Sequence, residues 1–433
     1  MIVLYFILIF IIGLIKSKKT SSIEYLYASR KLTLTSFIAT IVTTWYGAIL
    51  DVGRYTYEFG IITWLLFCLF YYFSAFIYGF FIAPKIHTKN ISSLPEFFNN
   101  RIGKSASFIA SILIFLIGSP IPYIIIFSSI ITHVYEINYL YSVIIGVLSS
   151  NIYLYIGGFK SVIRTDKFQF ILMYLGFGIL LYNLYTNFGG YDFIINNVPE
   201  RHLSFNVKDN IGLLISWFFI SFTIFIDPSI FQRAYSANKS SNIKKGFLLS
   251  IIFWFIFDLM TITTGLYASA IIDNNNLFTS PFLQLSSMAL PGYLNTIFII
   301  SLLAIVMSTI DSTTFISSIT LNNFLANNEK TKQINLNVGL TITGVFSIIM
   351  CYYFREAIGY WYIFGTISAS TIMIPFIFLL YNDNYYIEKP LLTLLLPLSI
   401  AVLCIITKSI EPIYPGIISS LILTLFNSTK NKD

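Results

Sequence analysis

Residues 302–314 read LLAIVMSTIDSTT and place hydroxyl and carboxyl groups inside an apolar segment of membrane-spanning length. Ser308 and Thr309 form an adjacent hydroxyl pair, and Asp311 and Ser312 follow within one helical turn. Hydrocarbon penalises such groups unless they face a partner, a cavity or an ion. Neutral oxygens suit a hard, singly charged cation that must also be released. We therefore interpret this segment as part of a sodium site.

The composition predicts an all-α polytopic membrane protein. Of the 433 residues, 56% are hydrophobic and only 10% are charged, whereas a soluble domain carries about 25% charged residues. Apolar runs of about 20 residues recur along the whole chain, and each is long enough to cross a bilayer as a helix. The runs are continuous rather than alternating, which argues against a β-barrel. We predict thirteen spans, at residues 2–16, 33–58, 61–84, 106–133, 139–157, 162–186, 210–232, 245–271, 292–325, 335–354, 357–381, 390–407 and 411–426.

The basic residues predict the orientation of the chain in the membrane. Lys and Arg cluster in alternate loops, which marks those loops as cytoplasmic, so the net charge of +7 does not indicate a nucleic-acid partner. Lys16, Lys18 and Lys19 follow the first apolar run, but no basic region precedes that run and no small-residue cleavage site follows it. This pattern favours a retained helix over a signal peptide. We predict an N-terminus outside, a C-terminus inside and a location in the cell membrane.

The residue types of hydrolytic and metal chemistry are scattered. Cys68, Cys351 and Cys404 lie in separate apolar runs, where they form neither a disulfide framework nor a zinc pattern. The three histidines are equally dispersed. We expect that the chain is not an enzyme and that its ligands are a coupling ion and a small solute.

Two aromatic segments are expected at the membrane surface. Residues 94–104, LPEFFNNRIGK, predict a short interfacial helix with Phe97 and Phe98 toward lipid. Tyr360, Trp361 and Tyr362 begin the eleventh span, where aromatic residues serve either as interface anchors or as a lid over a solute. We favour the anchor interpretation.

The second span contains small and charged residues that a plain membrane helix does not need. Residues 39–60 read ATIVTTWYGAILDVGRYTYEFG. Small and polar residues in mid-span predict a broken helix, which would free carbonyl groups for a cation and half-helix ends for a solute. A packing face rich in small residues explains the glycines but not Asp51, Arg54 and Glu58. Those three residues lie on one helix face, where mutual pairing is the alternative to solute contact.

The seventh span ends in FTIFIDPSIFQR, residues 222–233. Pro228 removes a backbone donor, and Asp227 before it is costly in lipid. Together they predict a second interrupted helix, with a simple proline kink as the alternative. Two interrupted helices in matching positions indicate a central binding site. We predict that the solute contacts residues near both breaks: Trp45, Ala48, Asp51, Arg54, Phe222 and Thr223.

A further polar segment joins the fifth and sixth spans. Residues 157–169 read GGFKSVIRTDKFQ, and the glycines permit a tight turn. Asp166 is either a helix-start charge paired with Lys160 or Lys167, or a cation ligand or gate near the inner mouth. The sequence leaves both interpretations open.

Four of these motifs resemble the sodium:solute symporter family, and they occur along the chain in the order that the family has. Residues 157–169 resemble its GG-x-x-A-V-x-x-T-D-x-x-Q stretch, and Ala304–Ser312 resembles its A-x-x-M-S-T/S-x-x-S/D-S segment. Phe231-Gln232-Arg233 resembles its Q-R after the broken helix, and residues 94–103 resemble its L-P-x-F…R-F-G loop.

The resemblance implies a fold and a division of the chain. The family has a LeuT-like core of five helices and an inverted five, which would be spans two to eleven here. Residues 1–32 would then form an extra helix and a cytoplasmic loop, 33–382 the ten-helix core, and 383–433 two further helices and a short cytoplasmic tail.

The resemblance also implies ion ligands. The family's main sodium site uses carbonyls of the first broken helix and the hydroxyl pair, and by motif position this site is Ile41, Thr44, Ile305, Ser308 and Thr309. Some members have a second site, which maps to Asp166, Asp311 and Ser312 and would take sodium or a proton.

The expected function is sodium-coupled import of a small polar solute by alternating access, by a protein that works as a monomer. Arg54 stands where the family keeps small residues, and an arginine beside a cavity favours a carboxylate such as an amino or organic acid. Two alternatives stay open. One is proton coupling on the same fold through Asp166 or Asp311, and the other is a membrane sensor that binds solute without transporting it.

Overall fold

The computed structural model describes residues 1–15, 22–205, 211–273, 280–325, 332–408 and 410–430. Within these ranges the chain is almost entirely helical. Two short strands, β1 (Tyr385–Ile387) and β2 (Ser428–Lys430), pair antiparallel with each other. The basic cluster predicted to follow the first span, Lys16, Lys18 and Lys19, lies outside the described residues.

The helices are named in chain order. The first half contains α1 (Ile2–Leu14), α2 (Ser22–Tyr27), α3 (Leu34–Trp45), α4 (Ile49–Phe59), α5 (Ile62–Thr88), α6 (Leu94–Ile117), α7 (Ile121–Tyr135), α8 (Tyr139–Phe188) and α9 (Tyr191–Asn197). The second half contains α10 (Ile211–Ser221), α11 (Pro228–Ser236), α12 (Ser240–Ile271), α13 (Pro281–Ala289), α14 (Gly292–Leu325), α15 (Lys332–Tyr353), α16 (Ala357–Tyr381), α17 (Pro390–Thr407) and α18 (Ile413–Phe426).

The described helices confirm a multi-pass membrane protein. Eight helical segments, one of which joins α6 and α7, are long and apolar enough to cross a bilayer, or ten if each of two bent pairs counts as one span. The bent pairs are α3 with α4, and the α10 region with α11. α1 and α18 are shorter apolar helices.

α8 contains two of the predicted spans. It runs for 50 residues, but Gly158 within it has φ 55° and ψ −150°, which is not helical. A Cβ at Gly158 would lie 2.7 Å from the carbonyl oxygen of Tyr25, so glycine is required both by the positive φ and by the close backbone. The backbone therefore leaves the helical path at the predicted glycine turn, between residues 139–157 and 162–186.

The prediction that Phe97 and Phe98 face lipid is wrong. α6 is interrupted at Gly103 (φ 78°), so a short N-terminal helix does precede the longer segment. Phe97 is only 6% exposed and Phe98 is fully buried. Their ring centroids lie 5.3 and 6.3 Å from that of Phe376 in α16. Burial of aromatic surface against α16 therefore decides the position of this helix, and sequence periodicity does not show which side is covered.

Backbone contacts place the two interrupted helices next to each other. α3 packs against α8, α12 and α14 in the middle of the molecule. Just before α3, the Leu32 amide donates to the Ser236 carbonyl at 3.1 Å, and the Asn238 amide donates to the Leu32 carbonyl at 3.1 Å. The start of α3 is thereby fixed beside the end of α11.

Candidate functional site

The predicted break in the second span is confirmed. α3 ends at Trp45, α4 begins at Ile49, and the two axes differ by 56°. Gly47 lies in the break, and a Cβ there would stand 2.2 Å from the ring of Tyr123 and 2.8 Å from Cβ of Thr309. Glycine therefore allows the interrupted backbone to approach α14 more closely than any side chain would permit.

The second predicted break is also confirmed. The helix that ends in the 3₁₀ turn Phe222–Ile226 and the following α11 meet at 44°. Asp227 lies between them, and its Oδ1 accepts hydrogen bonds from the amides of Ser229 at 2.7 Å and Ile230 at 3.0 Å. Asp227 is thus the N-cap of α11, with Pro228 at the first helical position, where a missing amide costs nothing.

The Thr309 hydroxyl lies among backbone oxygens at the end of α3. Its Oγ1 is 3.2 Å from the carbonyl oxygen of Thr44, 3.5 Å from that of Thr43 and 3.3 Å from that of Ile305. The Thr309 side chain is fully buried. Neutral carbonyl and hydroxyl oxygens at this spacing form a set that could coordinate an alkali cation. Of the predicted sodium ligands, Ile41 lies three residues before Thr44 in the same helix, with a buried side chain.

Ser308 points in a different direction from Thr309. Its Oγ donates to Oδ1 of Asp166 in α8 at 2.7 Å, and both side chains are fully buried. Adjacent residues of a helix face directions about 100° apart. The hydroxyl pair therefore connects α14 to α3 through Thr309 and to α8 through Ser308.

A fully buried arginine, Arg233 of α11, lies at the centre of this polar cluster. Its Nη2 donates to Thr44 Oγ1 at 2.8 Å and to Ser312 Oγ at 2.7 Å, and its Nε donates to Thr40 Oγ1 at 2.9 Å. Nη2 is also 3.5 Å from Oδ2 of Asp166. One guanidinium therefore joins the second interrupted helix to α3, α8 and α14.

The residues predicted for a second cation site do not share one set of contacts. Asp166 and Ser312 both contact Arg233. Asp311 instead accepts a hydrogen bond from the hydroxyl of Tyr153 in α8. Its other carboxylate oxygen is buried without a hydrogen-bond partner among the described residues.

Two cavities meet at the breaks, and Trp45, Tyr71 and Trp361 line both of them. The first cavity has an empty volume of about 650 Å³, which includes the solvent at its mouth, and it lies beside Thr44 and Asp227. The second holds about 570 Å³ on the same measure. Spaces between interrupted helices are where transporters built with such helices bind a small solute.

The predicted solute contacts divide into two groups. Trp45 and Thr223 line the first cavity, and Trp45, Ala48 and Asp51 line the second. Phe222 packs among neighbouring phenylalanines rather than on a cavity wall. Arg54 is about half exposed, and its Nε donates to Glu58 Oε1 at 3.0 Å. The structure thus brings four of the six residues to the cavities.

Sequence reasoning missed or misjudged three residues of the site. Asp258 of α12 lines the second cavity although it is only 3% exposed, and its carboxylate accepts a hydrogen bond from the Tyr72 hydroxyl. The signal was present, since Asp258 is the one acidic residue in the apolar run 245–271. Tyr360 and Trp361 line the wall of the first cavity. The sequence favours them as interface anchors, but their position fits the alternative of a lid over the solute better.

Known proteins resemble this chain in sequence and in fold. The mouse sodium-coupled monocarboxylate transporter 2 is 22% identical over 65% of the chain, and the sodium/pantothenate symporter of Haemophilus influenzae is 26% identical over 41%. The matches cover 48% and 38% of those two proteins, so the chain spans about half their length or less.

Solved structures show the same fold at low sequence identity. A Na⁺-coupled sialic acid symporter in a substrate-bound outward-open state aligns with a TM-score of 0.82 and 13% identity, covering 100% of this chain and 98% of that one. A nucleobase-cation-symport-1 family transporter in a closed conformation aligns with a TM-score of 0.63 and 12% identity over 95% of each chain. The sequence model of the sodium:solute symporter family matches residues 25–385. The chain therefore belongs to the sodium:solute symporter family.

Proposed function

We propose that the protein is a sodium-coupled symporter of the cell membrane that imports a small polar organic solute, such as an amino or organic acid, by alternating access. One observation carries the proposal: the Thr309 hydroxyl of α14 lies 3.2 Å from the Thr44 carbonyl, where α3 approaches its break. Family membership and the names of the relatives, which pair sodium with an organic solute, support it. In this proposal the chain is a transporter and not an enzyme.

Sodium would be held by the oxygens around Thr309. The carbonyl oxygens of Thr44 and Ile305 lie 3.2 and 3.3 Å from the Thr309 hydroxyl. The Ile41 carbonyl and the Ser308 hydroxyl would complete the set implied by the family motif. A bound ion would join α14 to the end of α3, and it would thereby favour one orientation of the broken helix.

The sodium gradient can supply the required free energy. One charge moving through about 100 mV releases about 2.3 kcal/mol, and a tenfold concentration ratio adds about 1.4 kcal/mol. A total of about 3.7 kcal/mol permits accumulation of a neutral solute by several hundredfold per sodium ion.

Asp166, Asp311 and Ser312 would serve a second sodium ion or a proton in another conformation. In the present arrangement the Arg233 guanidinium lies on Ser312 and beside Asp166, so a second cation there would meet a like charge. We propose that this site forms only when Arg233 moves away. Asp311, which unlike Asp166 has no cation in contact among the described residues, is the stronger candidate for the proton of the alternative, proton-coupled mechanism.

The proposed topology keeps thirteen spans with the N-terminus outside and the C-terminus inside. The number follows if each bent pair is one span, if α1 and α18 also cross, and if α8 is two spans divided at Gly158. The core would be residues 33–382 in a LeuT-like arrangement of five helices and an inverted five, preceded by 1–32 and followed by 383–433. We propose that one copy of the chain is sufficient for transport.

The direct test is the thermal unfolding of the purified protein in NaCl and in KCl. Sodium at about ten times its dissociation constant stabilises the folded state by about 1.4 kcal/mol. We expect this stabilisation in the wild type and its loss in the double variant S308A/T309A. The matched control is S318A/T320A in the same helix, whose hydroxyls donate to the carbonyls of Thr314 and Ile316 within α14.

The result also separates the alternatives. If S308A/T309A keeps the full sodium effect, the hydroxyl pair is not the ligand. If the wild type responds to pH and not to sodium, proton coupling replaces the proposal. A solute that binds with sodium but does not accumulate in sealed proteoliposomes under a sodium gradient would identify a sensor.

A further inference from the structure

The walls of the two cavities carry only one sign of charge. Asp227 lines the first cavity, and Asp51 and Asp258 line the second. No Lys, Arg or His lines either cavity among the described residues. A carboxylate-bearing solute would therefore meet like charges in a space of low dielectric, where repulsion is stronger than in water.

The positive end of the second interrupted helix is already occupied. Interrupted helices commonly direct a half-helix N-terminus at an anionic group of the solute. Here the first amides of α11, from Ser229 and Ile230, donate to the carboxylate of Asp227. An incoming anion would have to compete with a covalently attached one, so α11 is a poor receptor for it.

Asp258 is a buried carboxylate without an internal cation. It is only 3% exposed, and the hydroxyl of Tyr72 hydrogen-bonds to it. The described residues contain no Lys or Arg in ion-pair contact with it, whereas Asp166 in the ion cluster has Arg233. A carboxylate buried in a membrane span requires a partner if it is ionised, and the cavity beside Asp258 is where such a partner can enter.

Asp51 lies on the same cavity and is also available. Its Oδ2 is buried without a hydrogen-bond partner among the described residues. Arg54, which follows it by three residues, is held by Glu58 on the exposed side of α4. The two acidic residues of the second cavity therefore come from different helices, α4 and α12, and both line one space.

Aromatic rings complete the environment. Trp45, Tyr71 and Trp361 line both cavities. Trp45 packs edge-on against Tyr71 with ring centroids 4.8 Å apart. Aromatic faces attract cations through their quadrupole, most strongly for Trp and most effectively away from water.

We infer that the solute carries a positively charged nitrogen, which Asp51 and Asp258 receive and which Trp45 and Trp361 face. This inference rests on the proposed function and specifies its substrate. The nitrogen belongs either to an amine without a carboxylate or to an amino acid. Of the solutes named in the proposed function, this inference favours the amino acid over an organic acid without nitrogen.

The experiment measures thermal unfolding of the full-length protein in NaCl with matched probes. The probes are the standard α-amino acids, the amine that each gives on decarboxylation, and the carboxylic acid that each gives on loss of its amino group. We expect the stabilising probes to carry the ammonium group. Stabilisation by amines as well as amino acids identifies an amine site, and stabilisation by amino acids alone identifies an amino-acid site.

Variants connect the effect to the two carboxylates. D258N and D51N keep the side-chain shape and remove the charge, and each should weaken the apparent affinity for the stabilising probe about tenfold or more. D192N, on the exposed first turn of α9, is the control and should leave the affinity unchanged. The sodium effect should persist in all three variants, which shows that each is folded.

Three outcomes would overturn the inference: the strongest stabilisation comes from a carboxylic acid without nitrogen, no nitrogen-bearing probe stabilises, or both D258N and D51N retain the wild-type affinity. In each case a persistent sodium effect, lost in S308A/T309A, would leave the proposed coupling intact. Loss of the sodium effect in the wild type would instead reject the proposed function itself.

Discussion

Replacing Arg233 by Met tests the central polar cluster most directly. The substitution keeps an unbranched, flexible side chain in a site with no solvent exposure and removes the only cation in contact with Asp166 among the described residues. It also removes the donors to Thr44 and Ser312. The buried carboxylate of Asp166 then keeps the Ser308 hydroxyl as its hydrogen-bond donor but has no opposite charge.

The expected loss of stability can be worked out from the ion-pair distance. At the observed 3.5 Å between Nη2 and Oδ2, two unit charges attract by about 5 kcal/mol if the effective dielectric constant is about 20. Breaking a buried ion pair by removing one partner costs about 3–5 kcal/mol. We expect R233M to lose about this much. The double variant D166N/R233M should recover most of the loss, because it leaves no unpaired charge.

The assay is thermal unfolding of the purified protein in KCl and again in NaCl. In KCl the order of stability should be wild type, then D166N/R233M, then R233M. In NaCl, R233M should gain more than the wild type, since Asp166 and Ser312 are then free to bind a cation. R233K is the informative control, because a lysine keeps the charge but cannot reproduce the planar, multidentate contacts. Equal stability of R233M and the wild type, with an unchanged sodium effect, would refute the proposed role of the guanidinium.

Two further predictions concern the break in the second span and the loop that contains Asp383. G47A should abolish the sodium effect, because the added Cβ would lie 2.2 Å from the Tyr123 ring and would force the break away from α14. G178A in α8 is the control, since its added Cβ would lie 3.8 Å from a methionine carbon. An unchanged sodium effect in G47A would contradict the close approach. Asp383 pairs with Lys89 at 2.5 Å, and this hydrogen-bonded cation lowers the pKa of Asp383 below its ordinary value. D383N should therefore lower the free energy of unfolding by at most about 1 kcal/mol at neutral pH. This difference from the wild type should vanish as the pH falls through the lowered pKa of Asp383. A difference in stability that grows in acid would contradict the pairing.

Local features of the sequence were sufficient to predict a break within the second span and another at Asp227 and Pro228. Gly47, and Asp227 with Pro228, interrupt apolar runs in which each polar or helix-breaking residue carries a cost that is visible without any partner. The resemblance to the family added the expectation that α14 lies beside α3, and the Thr309 contacts agree with that expectation. These conclusions depend on short segments and on motif order.

The partners of the buried charges could not be predicted in the same way. Arg233 meets Thr40 and Thr44 across more than 180 residues of sequence, and no local pattern encodes such a contact. The prediction for Phe97 and Phe98 was wrong for the same reason. In a membrane protein, a helix face that packs against protein and one that contacts lipid are equally apolar. The predicted pairing of Asp166 with Lys160 or Lys167 was wrong: Lys160 pairs with Glu24, and Asp166 contacts Arg233 and Ser308 from other helices. Its interpretation as a cation ligand stays a prediction.

The buried carboxylates suggest how one fold can separate ion binding from solute recognition. Asp166 and Asp258 are both buried within membrane-spanning helices, and both are costly there unless a cation compensates them. The chain supplies that cation to Asp166 through Arg233, beside the hydroxyls of the proposed sodium site. It supplies none to Asp258 among the described residues, and Asp258 borders a cavity. If both carboxylates are ionised, the positive charge that compensates Asp258 comes from the solute. The D258N variant should therefore alter which solutes bind, while the sodium effect persists.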